Sequence, residues 1–312
     1  MRTKTTWILI LTLAALLLIS GCAGSRGAQA QDADKTAADA AAKIEIETVK
    51  TDEFSMDYFR FGQGERTLVI LPGLSVQSVM GSADAVAEAY QLLTDAFTIY
   101  LFDRRADLPA VYSVYDMARD TAEAIRTLGL EDVCLFGTSQ GGMIAMDIAI
   151  EYPDLVQKLV LGSTSACVTE EQFRTIDTWI DLAEAGNAAD LYLAFGEAIY
   201  PQELFEQSRD LLLAAAETVT DEELERFVTL AEGMAGFDVS NDLQEIACPV
   251  LAIGSLDDQV LGAEATMQIA ERMSELPNFE VYMYDGYGHA AYDTAPDYKE
   301  RLMEFFTKDP VG

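Results

Sequence analysis

Cationic side chains are scarce in this chain: 20 Lys and Arg stand against 53 Asp and Glu, a formal net charge of −33 at pH 7 over 312 residues. So few cations among so many anions assemble no basic stripe, which excludes binding to a nucleic-acid backbone and disfavours a polyanionic substrate. The acidity itself names no partner, since it also keeps proteins soluble and monomeric. Histidine is scarcer still, with His289 the sole example, and only four cysteines occur: Cys22, Cys134, Cys167 and Cys248. That set holds no zinc-ligand spacing. Cys134 and Cys248 fall in apolar, strand-like stretches and read as small buried hydrophobes. No internal repeat is visible. Apolar residues, by contrast, make up 50% of the chain. This is too many for a disordered polymer and enough for one large domain, or one domain with an insertion.

The N-terminus stands apart. Arg2 and Lys4 precede a largely apolar run of 13 residues, Trp7 to Ile19, too short to cross about 30 Å of hydrocarbon comfortably but suited to a signal-peptide core. It ends in Ile19-Ser20-Gly21-Cys22, which resembles the bacterial lipobox and implies cleavage before a lipidated cysteine. Residues 1–21 are therefore expected to be a lipoprotein signal peptide and Cys22 the lipidation site. A plain secretory signal and an uncleaved anchor are the alternatives. Residues 22–43, poor in aromatic and branched apolar side chains, read as a tether. Anionic headgroups repel an acidic domain, so acyl chains must hold it, each buried methylene contributing about 0.8 kcal/mol. The expectation is an extracytoplasmic protein of the bacterial cell envelope, held at the membrane through Cys22.

From residue 44 onward, apolar strand-like stretches alternate with helical periodicity. The strands fall at 44–62 (two of them), 67–71, 97–102, 132–136, 156–161, 249–254 and 279–284, and helices at 83–94, 114–128, 141–152, 263–273 and 298–306. Several strands are apolar on both faces, which predicts an α/β fold with a mostly parallel eight-stranded sheet covered by helices. Between about 168 and 244 strands disappear, and helical stripes run through 173–185, 189–199, 204–217 and 222–234. Thr220 followed by Glu223 is a capping-box signature for the last of these. A strandless block of this size between two strands reads as an inserted helical cap.

Residues 132–142, DVCLFGTSQGG, run an apolar strand into Gly137-Thr138-Ser139-Gln140-Gly141 and then a helix. Two glycines relieve crowding at a sharp strand-to-helix turn that lifts Ser139 above the sheet, the setting of a nucleophile. A serine hydroxyl needs a base with a pKa nearer 7, and His289, in Gly286-Tyr287-Gly288-His289-Ala290 after the last strand, is the only imidazole available. The acid should lie between them. The strand at 250–253 ends in Gly254-Ser255-Leu256-Asp257-Asp258, where either carboxylate can orient an imidazole but a turn sends neighbouring side chains in different directions.

These segments, with LPGLS at 71–75, FDRR at 102–105, EYPDLVQKLVLGST at 151–164 and YGHA at 287–290, resemble the α/β-hydrolase family. The similarity is to its cap-bearing esterases, lactonases and iminopeptidase-like enzymes, from about Ile44 to the C-terminus. The resemblance implies an α/β-hydrolase fold over 44–312 and a triad of Ser139, Asp257 and His289. Asp257 is preferred to Asp258 as the family acid, and Asp258 is expected to bond within the loop. The oxyanion donors implied are the main-chain N–H groups of Leu74 and Gln140, with Pro72-Gly73 where many relatives carry His-Gly. Asp103-Arg104-Arg105 is expected to form local ion pairs.

The chemistry expected is a serine hydrolase cleaving small carboxylic esters through an acyl-enzyme, with no nucleotide, flavin, haem or metal required. Iminopeptidase, lactonase and thioesterase activities stay open, as does ligand binding on a hydrolase scaffold. Trp179, Ile180, Leu182, Leu191, Tyr192, Leu193, Phe195 and Tyr200 are the cap residues able to cover an apolar acyl group.

Overall fold

Strand β5 (Val133–Thr138) is buried at every position, and its side chains divide between two cores. Val133 and Leu135 enter one apolar cluster, Cys134 and Phe136 the other. That period-two split places a hydrophobic layer on each face of the sheet, which is why the strand reads as a continuous apolar run rather than an alternating one. The structure, a computed structural model, describes residues 43–308. The signal-peptide and Cys22 expectations, with all but the last residue of the tether, lie outside those residues.

Eight strands form one sheet: β1 (Ile46–Lys50), β2 (Ser55–Gly62), β3 (Arg66–Leu71), β4 (Phe97–Arg105), β5, β6 (Val156–Gly162), β7 (Val250–Ser255) and β8 (Phe279–Tyr284). Their spatial order is β1-β2-β4-β3-β5-β6-β7-β8. The β1–β2 and β2–β4 pairs are antiparallel, and every pair from β4 to β8 is parallel. Helices α1 (Ala83–Ala89), α2 (Val114–Thr127) and α3 (Gln140–Glu151) cover the first half. The helix expected over 83–94 is shorter because Leu93 N–H turns back to the Tyr90 carbonyl and Thr94 N–H to Gln91, closing a 3₁₀ turn instead of another α turn.

Between β6 and β7 stand four helices, α4 (Glu170–Glu184), α5 (Ala188–Ile199), α6 (Gln202–Ala216) and α7 (Asp221–Glu232). The start of α7 is the reciprocal cap read from the sequence: Glu223 N–H donates to Thr220 Oγ1 at 3.2 Å, and the Glu223 carboxylate accepts from Thr220 N–H at 2.9 Å. Helices α8 (Ala263–Met273), α9 (Ala291–Thr294) and α10 (Tyr298–Thr307) complete the chain. No helix among the described residues is long and apolar enough to cross a membrane.

The inserted helices are bolted to the strand ends at one edge. Arg226 of α7 pairs with Asp103 at 3.1 Å and donates to the carbonyls of Arg104 and Arg105. Tyr192 of α5 donates to Gln77 Oε1 at 2.9 Å, and Gln77 in turn donates to Glu223. The C-terminal ends of β3, β5 and β7, where ligands of open α/β sheets lie, are thus roofed by the insertion.

Candidate active site

Strand β5 ends at Thr138 and α3 begins at Gln140, so Ser139 alone makes the turn, with φ 51° and ψ −121°. A non-glycine residue held there stores strain of order 1–3 kcal/mol and persists only if its neighbours fix it. They do so through the backbone. Ser139 N–H donates to the Gly162 carbonyl at 2.9 Å, and the Ser139 carbonyl accepts from Thr164 Oγ1 at 2.7 Å and Gly142 N–H at 2.9 Å. The flanking glycines are obligatory for space: a β-carbon on Gly137 would stand 2.2 Å from the Gly141 carbonyl oxygen, and one on Gly141 2.1 Å from that of Leu71.

The loop after β3 passes directly over this turn. A β-carbon on Gly73 would lie 3.1 Å from Ser139 Cβ. Among the described residues neither the Leu74 nor the Gln140 N–H has a backbone acceptor, which leaves both for an oxyanion beside Ser139. The Pro72 carbonyl behind them is held by Arg104, whose Nη2 donates to it at 2.7 Å and to Gln140 Oε1 at 3.3 Å. Burial drives the Arg104 guanidinium down to about 10 despite the neighbouring Asp103. The ion pairs expected of this segment form on either side of it, Asp103 with Arg226 and Arg105 with Asp120 at 3.2 Å. Arg104 itself braces the loop and the Gln140 side chain beside the elbow.

His289 follows Gly288, which sits at φ 65°, and its imidazole is buried. The carboxylate beside it corrects the sequence expectation: Asp258 Oδ2, not Asp257, lies 2.8 Å from His289 Nδ1. Asp258 Oδ1 also accepts from Val260 and Leu261 N–H at 2.8 and 3.0 Å, which fixes its side chain inward. Burial alone would raise the Asp258 carboxyl, but the His289 charge and these hydrogen bonds hold it below the usual range. Asp257 has the loop-bonding role expected of its neighbour. Its Oδ1 accepts from Ser255 Oγ, Gly286 N–H and Tyr287 N–H at 2.7, 3.0 and 3.3 Å, and its Oδ2 from Gly288 N–H at 3.0 Å. Asp257 therefore pins the loop that carries His289, while Asp258 touches the ring.

Ser139 and His289 line one small chamber with Gly73, Leu74, Trp179 and Met234. No hydrogen bond joins serine to imidazole among the described residues; such pairs commonly tighten only around substrate. A second chamber, of about 110 Å³, adjoins it across Gly73, Leu74, Phe195, Ile199 and Tyr292, and reaches Ile70, Val76 and Leu212. Of the cap residues read as acyl cover, Trp179, Tyr192, Phe195 and Tyr200 line these chambers. Ile180, Leu182, Leu191 and Leu193 pack into the hydrophobic core instead. No cluster of three potential metal ligands occurs among the described residues.

Residues 68–298 match the model of the alpha/beta hydrolase family. Among curated proteins the chain is similar to a "Putative carbamate hydrolase RutD" of Agrobacterium fabrum, 26% identical over 250 residues, 77% of this chain and 95% of that one. A protein of the same name from Caulobacter sp. strain K31 is 27% identical, over 74% of this chain and 87% of its own. Among solved structures, an alpha/beta hydrolase enzyme from a Medee basin deep-sea metagenome superposes with a TM-score of 0.76 at 22% identity, covering 85% of this chain and 99% of that one. The enol-lactonase of Burkholderia xenovorans LB400 gives 0.72 at 15% identity, covering 84% and 100%.

Proposed function

Because the chain belongs to the alpha/beta hydrolase family, we propose that it is a serine hydrolase that cleaves small carboxylic esters through a covalent acyl-enzyme. The observation that carries this reading is the constellation at the sheet's edge: a strained Ser139 and a buried His289 on one chamber, with Asp258 2.8 Å from the far ring nitrogen.

Asp258 accepts a hydrogen bond from Nδ1–H, so Nε2 presents its lone pair and takes the Ser139 proton as Oγ attacks the carbonyl. The oxyanion forms beside the Leu74 and Gln140 N–H groups. The imidazolium, stabilised by the Asp258 carboxylate, then protonates the departing alkoxide. Water enters, His289 removes its proton, and collapse of the second tetrahedral intermediate frees Ser139 and the acid.

Esters are favoured over other acyl substrates by the largely aliphatic and aromatic lining of the adjoining chamber, which suits a desolvated acyl chain. The relatives named for carbamate hydrolysis make small carbamates the comparison class, since the same attack applies to that carbonyl. The test is a fluorophosphonate probe on wild type and Ser139→Ala, followed by matched panels of short-chain esters, carbamates and N-terminal prolyl or alanyl arylamides. Labelling confined to wild type with esters leading in kcat/KM supports the proposal. Labelling retained in Ser139→Ala rejects the nucleophile, and a lead for carbamates or arylamides replaces the substrate class.

The proposal extends to location. Arg2, Lys4, the apolar run 7–19 and Cys22 support a lipid-anchored envelope protein, and mass spectrometry of the native N-terminus should find a diacylglyceryl group on Cys22. An unlipidated mature form beginning elsewhere overturns it.

A further inference from the structure

The chamber beside Ser139 is apolar along its length but not at one wall. Its lining includes Tyr90, Tyr200, Tyr292 and Asp293, the last four residues beyond His289, and the Asp293 charge acts on all three phenols, which groups them together. Among the described residues none of the three phenol hydroxyls makes a hydrogen bond, and neither does the carboxylate. Tyr90 and Tyr200 are each only 5% exposed. Tyr292 and Asp293 are half-buried, so these polar groups open onto the chamber instead of being shut in the core, and a ligand in the chamber that pairs with them gains hydrogen bonds the protein does not itself supply. Their closeness also shows in their acidity: burial raises each phenol, and the Asp293 charge raises it further.

The charge of this wall selects among ligands. Lys299 lies behind it, its Nζ 5.1 Å above the Tyr90 ring and donating to the Tyr292 carbonyl. Ionised together with Asp293 it makes the wall formally neutral, and burial, which raises the Asp293 carboxyl and lowers the Lys299 ammonium, favours the neutral forms of both as well. An added ammonium would leave a net positive charge in a desolvated pocket, and an added carboxylate would meet Asp293 directly. Either is costly where water is excluded. A neutral group that both donates and accepts meets no such penalty: it gives a hydrogen bond to Asp293 and takes one from a phenol.

Resting on the ester-hydrolase reading, we infer that the preferred acyl group ends in a neutral hydrogen-bonding function, a hydroxyl or carboxamide, bound by Asp293 with Tyr90, Tyr200 and Tyr292. The residues that would read this group lie on three separate segments, after α1, at the end of α5 and in α9, so the chamber brings together what the sequence disperses.

The experiment compares 4-nitrophenyl esters of one chain length ending in methyl, hydroxyl, carboxamide, ammonium or carboxylate, across lengths of four to eight carbons, on wild type, Asp293→Asn and Asp293→Leu. Wild type should prefer the hydroxyl or carboxamide ester over methyl by about ten-fold or more in kcat/KM at one length. Asp293→Asn should keep most of that preference, and Asp293→Leu should reverse it in favour of methyl. A second readout does not depend on turnover: calorimetric Kd values of Ser139→Ala for methyl hexanoate and methyl 6-hydroxyhexanoate, with and without Asp293→Leu. Methyl-ended ligands winning in wild type, or a preference that survives Asp293→Leu, overturns the inference. An ammonium ester winning, with the preference lost in Asp293→Asn, overturns the neutral assignment in favour of a cation site. Absence of hydrolysis of every ester defeats the hydrolase reading alone, and the Kd ratio still decides the pocket.

Discussion

Replacing each member of the Asp257-Asp258 pair by asparagine separates ring orientation from loop support. In Asp258→Asn the side-chain carbonyl keeps the Val260 and Leu261 N–H groups, at 2.8 and 3.0 Å, which turns the amide NH₂ toward His289 Nδ1. That nitrogen must then accept, the proton moves to Nε2, and the ring presents a donor where Ser139 needs a base. Loss of the correct tautomer costs about 10³–10⁴ in kcat, or roughly 4–5.5 kcal/mol of transition-state stabilisation. In Asp257→Asn, Oδ1 can still accept from Ser255, Gly286 and Tyr287, but an NH₂ group faces the Gly288 N–H that Oδ2 now accepts at 3.0 Å. One charge-assisted bond is lost and two donors meet. Discounted for its partial exposure to solvent, the change should cost about 1–2 kcal/mol of stability and no more than about ten-fold in kcat. The assay is kcat and KM on a short chromogenic ester, with urea unfolding of each variant. Near-full activity in Asp258→Asn beside a thousand-fold loss in Asp257→Asn would refute the orientation argument.

Relief of strain at the elbow should be visible in stability: Ser139→Gly, free to adopt φ 51°, is expected to unfold about 1 kcal/mol later than the equally inactive Ser139→Ala, by urea titration. Asp147, inside α3, supplies a pH test. Burial, reinforced by Glu151, raises its carboxyl from 3.8 to about 7, so the folded state holds the proton more tightly than the unfolded one. The associated stability is complete below about pH 4 and is lost as pH rises through 7. Asp147→Asn should therefore gain about 2 kcal/mol on wild type at pH 8, after allowance for solvent at the carboxyl, and no gain near pH 4; a pH-independent difference would contradict the linkage. Gln140→Ala removes the 2.7 Å bond to the Leu230 carbonyl and a partner of Arg104. It should cost about 1–3 kcal/mol, checked by thermal and urea unfolding.

The sharp turn at Ser139 and the loop that carries His289 were legible because their signals are local. Gly137 and Gly141 record a steric limit that any residue with a β-carbon would violate, and the chain holds one imidazole. The acid was not legible in the same way. Asp257 and Asp258 are adjacent on a turn after β7, and which of them faces His289 depends on a loop about 30 residues away, whose N–H groups converge on Asp257 and leave Asp258 for the ring. No spacing rule separates neighbours that differ by one residue. Asp293 escaped notice for the opposite reason. Its short element, Ala291–Thr294, has too few residues for periodicity to mark one of them as facing a cavity. The fold was legible nearly throughout, since doubly buried strands and amphipathic helices carry their periods in sequence. The departures fall where 3₁₀ turns replace the end of the helix expected over 83–94.

Side-chain bonds across the roof decide what the inserted helices can do. Gln140, the residue after the candidate nucleophile, reaches with its amide to the Leu230 carbonyl of α7 while its oxygen accepts from Arg104, which also holds the Pro72 carbonyl. Arg226, one turn earlier on α7, binds Asp103 and the carbonyls of the two residues that follow it, Arg104 and Arg105. The loop after β3, helix α3 and α7 therefore form one braced unit, and displacement of α7 would break several polar contacts at once. Helix α5 is tied through the Tyr192–Gln77 bond and the Ala290 N–H to Ile199 carbonyl bond, and it supplies Tyr192, Phe195 and Ile199 to the chamber. Gly186, at φ 67° with open space around it, lies just before α5. On the proposed hydrolase reading, α7 holds the Leu74 and Gln140 N–H groups in place through buried bonds to Gln140, while α5 shapes the chamber and is joined to the strand-end loops by the part-buried Tyr192–Gln77 bond and by the Ile199 carbonyl, which accepts from Ala290 N–H at 2.9 Å.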